Sequence, residues 1–444
     1  MRKTIYDSLY PKESVLKLLR NIITSTVQRE NKVYTSRLIY WLMVGNFLHR
    51  IGGLAASVLE TYKAGSEELI GNCRRARKKN WSRNTSALSQ ARMKVPLAHF
   101  QGLLCKLQEL IRGKELRWHD RLVFGVDGTT ITTQPTDRLR KKYRPNQNQY
   151  GQSPFPVVNV TVAHDLLTGL ALEPEWDPMY GDGRQSELEQ TLKIFPRLEN
   201  GSVVVSDRAH GVFFVSHAAV QNELDVVYRL TDSRAKALLK VKVLSGERDQ
   251  LFEWKASGAD RKKHPELAAD ASIRGRIIIK DVVRDNKLVK VILFTTLLDI
   301  SAKEIVELYG KRWQIEGDIR DLKKTLLLDQ LSARTPQVLD REILAAVIAY
   351  NIVRTMILFA AQRHGIADPR RIGFKNAVTV LRSFSPDLMR ATSKKECLNI
   401  VDIMLEFIAV RINKKRNRKS YPRHVYKHRT QYTIRKLTPI PKDL

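Results

Sequence analysis

Three acidic residues have the chemistry that metal-dependent reactions on phosphates require. Asp127 ends the short apolar run RLVFGVD, Asp207 ends the run GSVVVSD, and Glu316 lies in a charged stretch later in the chain. Three carboxylates with no His or Cys among them suit Mg²⁺ or Mn²⁺ rather than Zn²⁺. Two such ions can activate an attacking oxygen and stabilise the leaving oxygen in phosphoryl transfer. Because a lone Asp after a strand is often only a turn residue or a helix cap, this interpretation depends on the three carboxylates lying together.

The segments around the two aspartates have the pattern of strands in an α/β sheet. Strands are predicted over 121–130, in a hairpin over 154–176, and over 201–210 and 225–230, with a helix over 211–223. The run that ends at Asp207 is apolar almost throughout, as a buried parallel strand is. Gly128 is expected to turn the chain directly after Asp127. Since sites form at the carboxyl ends of parallel strands, the two aspartates are expected on neighbouring strands at one edge of the sheet.

The stretch ELYGKRWQIEGDIRDLKKTL, residues 307–326, has the periodicity of an amphipathic helix. Its apolar stripe consists of Leu308, Ile315, Ile319, Leu322 and Leu326. Directly beside that stripe lies a second set, consisting of Tyr309, Arg312, Glu316 and Lys323. There Glu316 would complete the acidic site, while Arg312 and Lys323 would hold the flanking phosphates. The alternative, a solvated face of i,i+4 ion pairs, accounts for the Arg312–Glu316 spacing but not for the other two members.

The charge of the chain favours a polyanionic partner. The 444 residues, 43% of them hydrophobic, are enough for two or three domains with a sizeable core, and the formal net charge is +31. Such a surplus indicates nucleic acid or an anionic membrane. Residues 72–94 and 411–436 are strongly basic and contain no acidic residue. The first has Ser82, Asn84 and Thr85 as candidate caps for a helix, an arrangement that suits phosphate contacts; a solvated basic surface is the alternative.

The apolar runs favour a core rather than a membrane. The run LIYWLMVGNFL (38–48) is too short to cross a bilayer, whereas ILAAVIAYNIVRTMILFAA (343–361) is long enough but carries Asn351 and Arg354 near its middle. A central arginine costs about 2.5–3.5 kcal/mol in a bilayer, so a buried helix is the better interpretation. The start of the chain lacks the pattern of a signal peptide, and three scattered cysteines favour a reducing compartment. We therefore expect a cytoplasmic protein with a nucleic-acid partner and no membrane contact.

The spacing Y-x2-R-x3-E-x6-K, which starts at Tyr309, resembles the signature of bacterial insertion-sequence transposases of the D-D-E superfamily. The segments ALSQAR, VDGTT, VVVSDRAHG and EILAAVIAYNIVRTMI are also similar to that family and occur in its order. The resemblance covers roughly residues 85–360. Gly317 and Asp318 stand where family members often have bulky or aromatic residues.

The resemblance implies cut-and-paste movement of a DNA element that is bounded by inverted terminal repeats. Two subunits would synapse the element ends on double-stranded DNA, cleave them through a hairpin, and join the 3′-hydroxyls to target DNA by two-metal-ion chemistry. The implied catalytic and metal-binding residues are Asp127, Asp207 and Glu316, with Mg²⁺, or Mn²⁺, as the cofactor. The enzyme would be cytoplasmic and associated with the nucleoid.

The resemblance also assigns DNA contacts. Tyr309, Arg312 and Lys323 would hold the terminal phosphates. Trp313 would stack on a base displaced near the cut, or would only pack beside the apolar stripe. Two further functions remain open: a metal-dependent DNA nuclease on the same core, and a catalytically retired DNA-binding protein derived from a transposase.

The predicted fold class is α/β, with a ribonuclease-H-like catalytic core that a β-strand insertion interrupts. Four parts are expected: a helical N-terminal DNA-binding region (1–113), the core (114–231 and 301–365), the β insertion (232–300), and a helical C-terminal region with a basic tail (366–444). The strand-rich pattern of 232–300 predicts the insertion from the residues, and the resemblance implies it at the same place.

Overall fold

In the computed structural model the described residues between 32 and 109 are mainly helical, whereas positions 1–31 of the predicted helical region lie outside the described residues. The structure describes residues 32–49, 52–63, 73–109, 116–149, 151–284, 287–391 and 393–413. The N-terminal helices are α1 (Ser36–His49), α2 (Gly53–Lys63), α3 (Arg74–Arg77), α4 (Thr85–Lys94) and α5 (Leu97–Glu109). Asn84 caps α4, since its side chain accepts a hydrogen bond from the Ser86 N–H, so one of the three candidate caps is confirmed. Whether residues 1–113 form a separate DNA-binding region stays a prediction.

The strands of the described residues form one mixed sheet. They are β1 (Val123–Thr132), β2 (Pro145–Asn148), β3 (Gly151–Asp165), β4 (Glu175–Pro178), β5 (Val203–Ser206), β6 (Asp225–Arg229), β7 (Arg248–Lys255), β8 (Ser272–Arg284) and β9 (Lys287–Thr295). Their order is β2-β3-β1-β5-β6-β9-β8-β7, and β4 pairs with β3. Strands β1, β5 and β6 are parallel, whereas β3 and β9 run antiparallel to their neighbours. This mixed α/β arrangement is consistent with the expected ribonuclease-H-like core.

Further helices lie between and beside these strands. They are α6 (Asp137–Lys142), α7 (Glu187–Ile194), α8 (Phe213–Gln221), α9 (Asp232–Leu239) and α10 (Gly258–Lys263). The strand-rich pattern of 232–300 corresponds to β7, β8 and β9, but α9 and α10 lie in the same segment. Because β9 pairs with β6, these strands extend the central sheet rather than forming a separate one.

The predicted continuous helix over 307–326 is three consecutive helical pieces. They are α11 (Ala302–Gly310), α12 (Trp313–Arg320) and a π-helical turn (Asp321–Thr325). Backbone bonds of the i,i+3 type join α11 to α12, from Arg312 N to Tyr309 O and from Ile315 N to Arg312 O. The single-helix prediction was therefore wrong in detail, although four of the five stripe residues are buried and Ile319 is partly buried.

Helix α13 (Pro336–Arg363) is the central helix of the larger core. It packs with α1, α5, α14 (Phe374–Arg390) and α15 (Lys394–Val410). Among the described residues α13 is long and apolar enough to cross a membrane, but its most apolar window is entirely buried inside the protein. The bent pair of α1 and α2 also passes that test of length and composition if taken as one span. The predicted basic tail lies outside the described residues beyond position 413.

Candidate active site

Asp127 lies on β1, and Asp207 follows directly after the last residue of the neighbouring parallel strand β5. Gly125 of β1 pairs with Val205 of β5, so each aspartate lies two residues beyond this pair, near enough for the Asp207 charge to act on Asp127. Ser206 Oγ donates to Val126 O at 2.9 Å and so holds the two strands together at this point. The pairing of β1 with β5 ends here, which gives the carboxylates an open edge.

Asp127 does not end its strand, contrary to the sequence prediction. Strand β1 continues to Thr132 and remains paired with β3, with Gly128 opposite Thr161. Gly128 is therefore not a turn residue. It is the strand partner β5 that ends at this level, and this is what exposes the Asp127 edge.

Close packing brings α12 against β1. A Cβ atom at Gly125 would lie 2.2 Å from Ile315 Cδ1, so only glycine lets the helix approach this closely. Gly125 and Asp127 alternate to the same face of β1, which is thus the face that α12 covers. Glu316 follows Ile315 on this helix and pairs with Arg312, whose charge acts on both aspartates.

Arg312 pairs with Glu316 and places a positive charge near the two aspartates. Its Nη2 donates to Glu316 Oε1 at 3.0 Å, and its charge favours the ionised form of both Asp127 and Asp207. Burial nevertheless raises the pKa of Asp127 above its usual value, and the neighbouring charge of Asp207 adds to that rise. The predicted i,i+4 ion pair is therefore present, and the Glu316 side chain in it is 46% exposed.

The residues around Arg312 fix its guanidinium. Burial raises the pKa of Tyr309, whose side chain is enclosed beside Arg312. The guanidinium stacks on the ring of Trp313 at 4.9 Å, and 40% of Trp313 is exposed. Among the described residues, the buried Nε of Arg312 has no hydrogen-bond partner. An unpaired donor of this kind suits a phosphate oxygen.

The π-helical turn directs Lys323 onto β1. Leu326 N donates to Asp321 O, an i,i+5 bond that widens the turn. Lys323 Nζ donates to Thr129 Oγ1 at 3.0 Å and to Thr130 O at 2.8 Å. Of the predicted second set, Lys323 thus contacts the strand that carries Asp127, through a hydroxyl and a backbone oxygen.

His210 is a buried neighbour of Asp207. The interaction with His210 is the main reason why the pKa of Asp207 is lowered. The imidazole Nδ1 lies 3.5 Å from Asp207 Oδ1 and 2.8 Å from Ser206 Oγ. The other nitrogen, Nε2, lies 3.0 Å from Thr191 Oγ1 of α7. Sequence reasoning missed this fully buried histidine, whose signal was its position three residues after Asp207 in SDRAH.

A buried ion cluster anchors α12 from its other side. Asp318 accepts hydrogen bonds from Arg354 of α13 at 2.5 Å and from Arg370 at 2.6 Å. Burial alone would raise the pKa of Asp318, but the two guanidinium groups outweigh it and lower that pKa. Asn351 completes the contact of α13 with the sheet, because its side-chain amide pairs with both the N–H and the C=O of Ala171. The polar residues in the apolar run were the sequence signal for this cluster.

The donor set fits a hard divalent cation. Asp127 and Asp207 supply oxygen ligands, and their mutual repulsion is what a cation would relieve. Within the part of the chain that the structure describes, no three acidic, histidine or cysteine side chains lie close enough to hold one ion. Glu316 instead pairs with Arg312, so its contribution to a metal site stays a prediction.

The basic segment 72–94 is only partly a surface. Exposed side chains there include Arg74, Arg75, Lys78, Lys79, Arg83 and Lys94. Arg92 instead is buried and pairs with Glu342 of α13, so it cannot contribute to a DNA-binding surface.

Comparison with known proteins places this site in a family. Residues 118–352 match the model of the transposase DDE domain, a span that contains all three carboxylates. The chain is also 21% identical over 301 residues to the transposase InsG for insertion sequence element IS4 of Escherichia coli strain K12. That match covers 66% of this chain and 65% of the relative, so it spans slightly less than two thirds of the relative's length.

Proposed function

This chain belongs to the transposase DDE domain family, and we propose that it is a transposase that cuts the ends of a mobile DNA element and joins them to target DNA. The observation that carries this proposal is the position of Asp127 on β1 and of Asp207 directly after the parallel strand β5, with Arg312 pairing with Glu316 and placing its charge near both aspartates. The site lies at an open sheet edge in a chain of net charge +31, which suits a DNA substrate.

We assign the catalytic role to Asp127, Asp207 and Glu316, which would hold Mg²⁺ or Mn²⁺. Bound there, the ions would activate the attacking oxygen and stabilise the leaving oxygen. The two aspartates are partly buried and their negative charges repel each other. A divalent cation would therefore stabilise their ionised forms. Glu316 would exchange its bond to Arg312 for the cation.

The other members of the set would position the DNA. Arg312 has an unpaired Nε donor beside the carboxylates, which suits an oxygen of the phosphate next to the cut. The Lys323 side chain contacts β1, and Tyr309 packs beside Arg312. Both side chains would therefore limit where that phosphate can lie. Trp313, stacked on Arg312 and partly exposed, is available for a displaced base.

The remaining parts of the chain would bind DNA outside the site. The exposed basic residues of 74–94 would contact the element ends, and the tail beyond 411 would contact DNA without sequence preference. Such phosphate contacts make affinity fall steeply with salt. We further propose that two copies of the chain act together in a synaptic complex, one on each element end.

Joining of DNA ends tests this function against its alternatives. A duplex that ends in the terminal repeat of the element, with a free 3′-hydroxyl, is incubated with the full-length chain, Mg²⁺ and a supercoiled plasmid. We expect covalent joining of that 3′ end to the plasmid. Cutting without joining would identify a nuclease instead, and DNA binding with neither activity would identify a retired transposase. Asp127→Asn and Asp207→Asn are the inactive controls.

A further inference from the structure

Glu187 brings a fourth carboxylate to the edge of β1 that carries Asp127. It is the first residue of α7, which begins with a capping box between Ser186 and Glu189. A Cβ atom at Gly128 would lie 2.8 Å from Glu187 Cδ and 3.0 Å from its Oε2. The glycine after Asp127, which the sequence suggested as a turn, therefore makes room for the Glu187 carboxylate.

Glu187 and Asp127 converge on Gly128. The N–H of Gly128 donates to Asp127 Oδ1 at 3.0 Å, and the Glu187 carboxylate packs against the same residue from the other face of β1. This N–H lies just beyond the last residues of β1 that pair with β5, where the edge of the strand is open. The two carboxylates thus approach each other from the two sides of the same strand.

The surroundings of Glu187 are unfavourable for its charge. Burial raises the pKa of Glu187; His210 opposes this rise, whereas the charges of Asp127 and Asp207 add to it. Among the described residues, no Lys or Arg forms an ion pair with Glu187. The helix dipole stabilises the negative charge of a glutamate in the first turn of a helix even when its side chain is exposed to water. The dipole therefore does not explain why the Glu187 side chain is partly buried.

We propose that Glu187 is a further residue of the cation site, where its carboxylate adds a third negative charge beside Asp127 and Asp207 and accepts hydrogen bonds from water that a bound Mg²⁺ retains. The inference rests on the proposed function, which supplies the cation. Mg²⁺ keeps several of its waters in proteins, so Glu187 can strengthen binding without touching the ion. Outer residues of this kind commonly change metal affinity about tenfold or more.

Manganese binding to the full-length protein without DNA tests the inference. Free Mn²⁺ is measured by its electron paramagnetic resonance signal during titration of the parent, Glu187→Gln, Asp127→Asn and Glu189→Gln. Glutamine keeps the size of the glutamate side chain, and Glu189→Gln removes one charge from the same helical turn away from the site. We expect Glu187→Gln to bind Mn²⁺ about tenfold more weakly than the parent, and Glu189→Gln to match the parent.

Thermal unfolding in a chelator separates this role from a structural one. Because Glu187→Gln removes a charge that Asp127 and Asp207 repel, we expect its Tm without metal to be higher than that of the parent. Weaker Mn²⁺ binding together with a lower Tm would make Glu187 a structural residue and overturn the inference. Parent-like Mn²⁺ binding by Glu187→Gln while Asp127→Asn binds weakly would also overturn it, but would leave the proposed function standing. Parent-like binding by both would contradict the cation site of the proposed function itself.

Discussion

Helix α12 carries two acidic residues that are two positions apart and form ion pairs with opposite surroundings. The side chain of Glu316 is 46% exposed and pairs with Arg312 at the edge of the acidic site. The side chain of Asp318 is 1% exposed, and each of its oxygens pairs with a different arginine. An exposed pair contributes little to stability and can exchange its partner, whereas a buried one cannot lose a partner without a large cost. The comparison indicates that α12 is fixed from its inner side so that its outer side can change partners.

The largest expected effect is on stability, at the inner pair. Asp318→Ala leaves Arg370 buried without a carboxylate and Arg354 with only the more distant one of Asp321, at 3.6 Å, so we expect the free energy of unfolding to fall by about 3–5 kcal/mol. Glu316→Ala removes only the outer pair, and we expect a change of about 1 kcal/mol or less. Urea unfolding of both variants makes the comparison. Equal decreases in the free energy of unfolding would show that Asp318 and Glu316 contribute equally to stability.

The next effect is on catalysis, at the outer pair. Arg312→Ala and Lys323→Ala should bind a terminal-repeat duplex within several-fold of the parent, because affinity is spread over many basic residues. Both should cut a pre-bound end about a hundredfold more slowly, since the scissile phosphate is then misplaced. Arg312→Lys should recover only part of that loss, because a point charge does not reproduce a planar fork. Single-turnover cutting in excess Mg²⁺ is the measurement, and parent-like rates would reduce this set to an ion-pair face.

A smaller effect should come from the contact that brings α12 onto the sheet. Gly125→Ala places a methyl group against Ile315, and we expect it to lower the free energy of unfolding by about 1–3 kcal/mol. Adding Ile315→Ala removes both clashing atoms, Cδ1 at 2.2 Å and Cγ1 at 2.5 Å, so the double variant should lose less than the sum of the single changes. Gly102→Ala in α5 is the control, because nothing lies within 4 Å of its Cβ position. Additive losses at 125 and 315 would contradict the close approach.

The smallest effect compares two arginines of the basic segment. Arg83 is exposed, so Arg83→Ala should weaken DNA binding slightly and lower its salt slope by about 1. Arg92 is buried against Glu342, so Arg92→Ala should instead lower stability. Affinity measured over a salt series, together with urea unfolding, separates the two. A lower salt slope for Arg92→Ala in a stably folded protein would return Arg92 to the DNA-binding surface.

Sequence periodicity and spacing predicted the parts of this molecule that depend on local pattern. The strands that carry Asp127 and Asp207, the buried apolar stripe of 307–326 and the buried central helix all follow from alternation or helical repeats. The resemblance added the ribonuclease-H-like topology of the core. Neither the sequence pattern nor the resemblance predicts contacts between residues that are distant in the sequence.

What the sequence could not give are contacts set by tertiary packing. Gly128 has the same local pattern whether it turns the chain or makes room for Glu187, and only the path of α7 decides between them. The sequence marks Asp318 as a departure from the family pattern and Arg354 as a charge in an apolar run. No local sequence pattern predicts that these two residues form an ion pair. The break at Arg312 and the π-helical turn likewise depend on how 307–326 packs against β1.

The central claim is that Asp127 holds the metal ion on which DNA cutting depends. The variant Asp127→Cys tests it most directly, because a thiolate is a poor ligand for Mg²⁺ and a better one for softer divalent ions such as Mn²⁺. Cutting of a pre-bound element end is measured under single-turnover conditions with each ion. We predict almost no cutting by Asp127→Cys in Mg²⁺ and clear recovery in Mn²⁺, with the parent active in both. Parent-like cutting by Asp127→Cys in Mg²⁺ would contradict the claim.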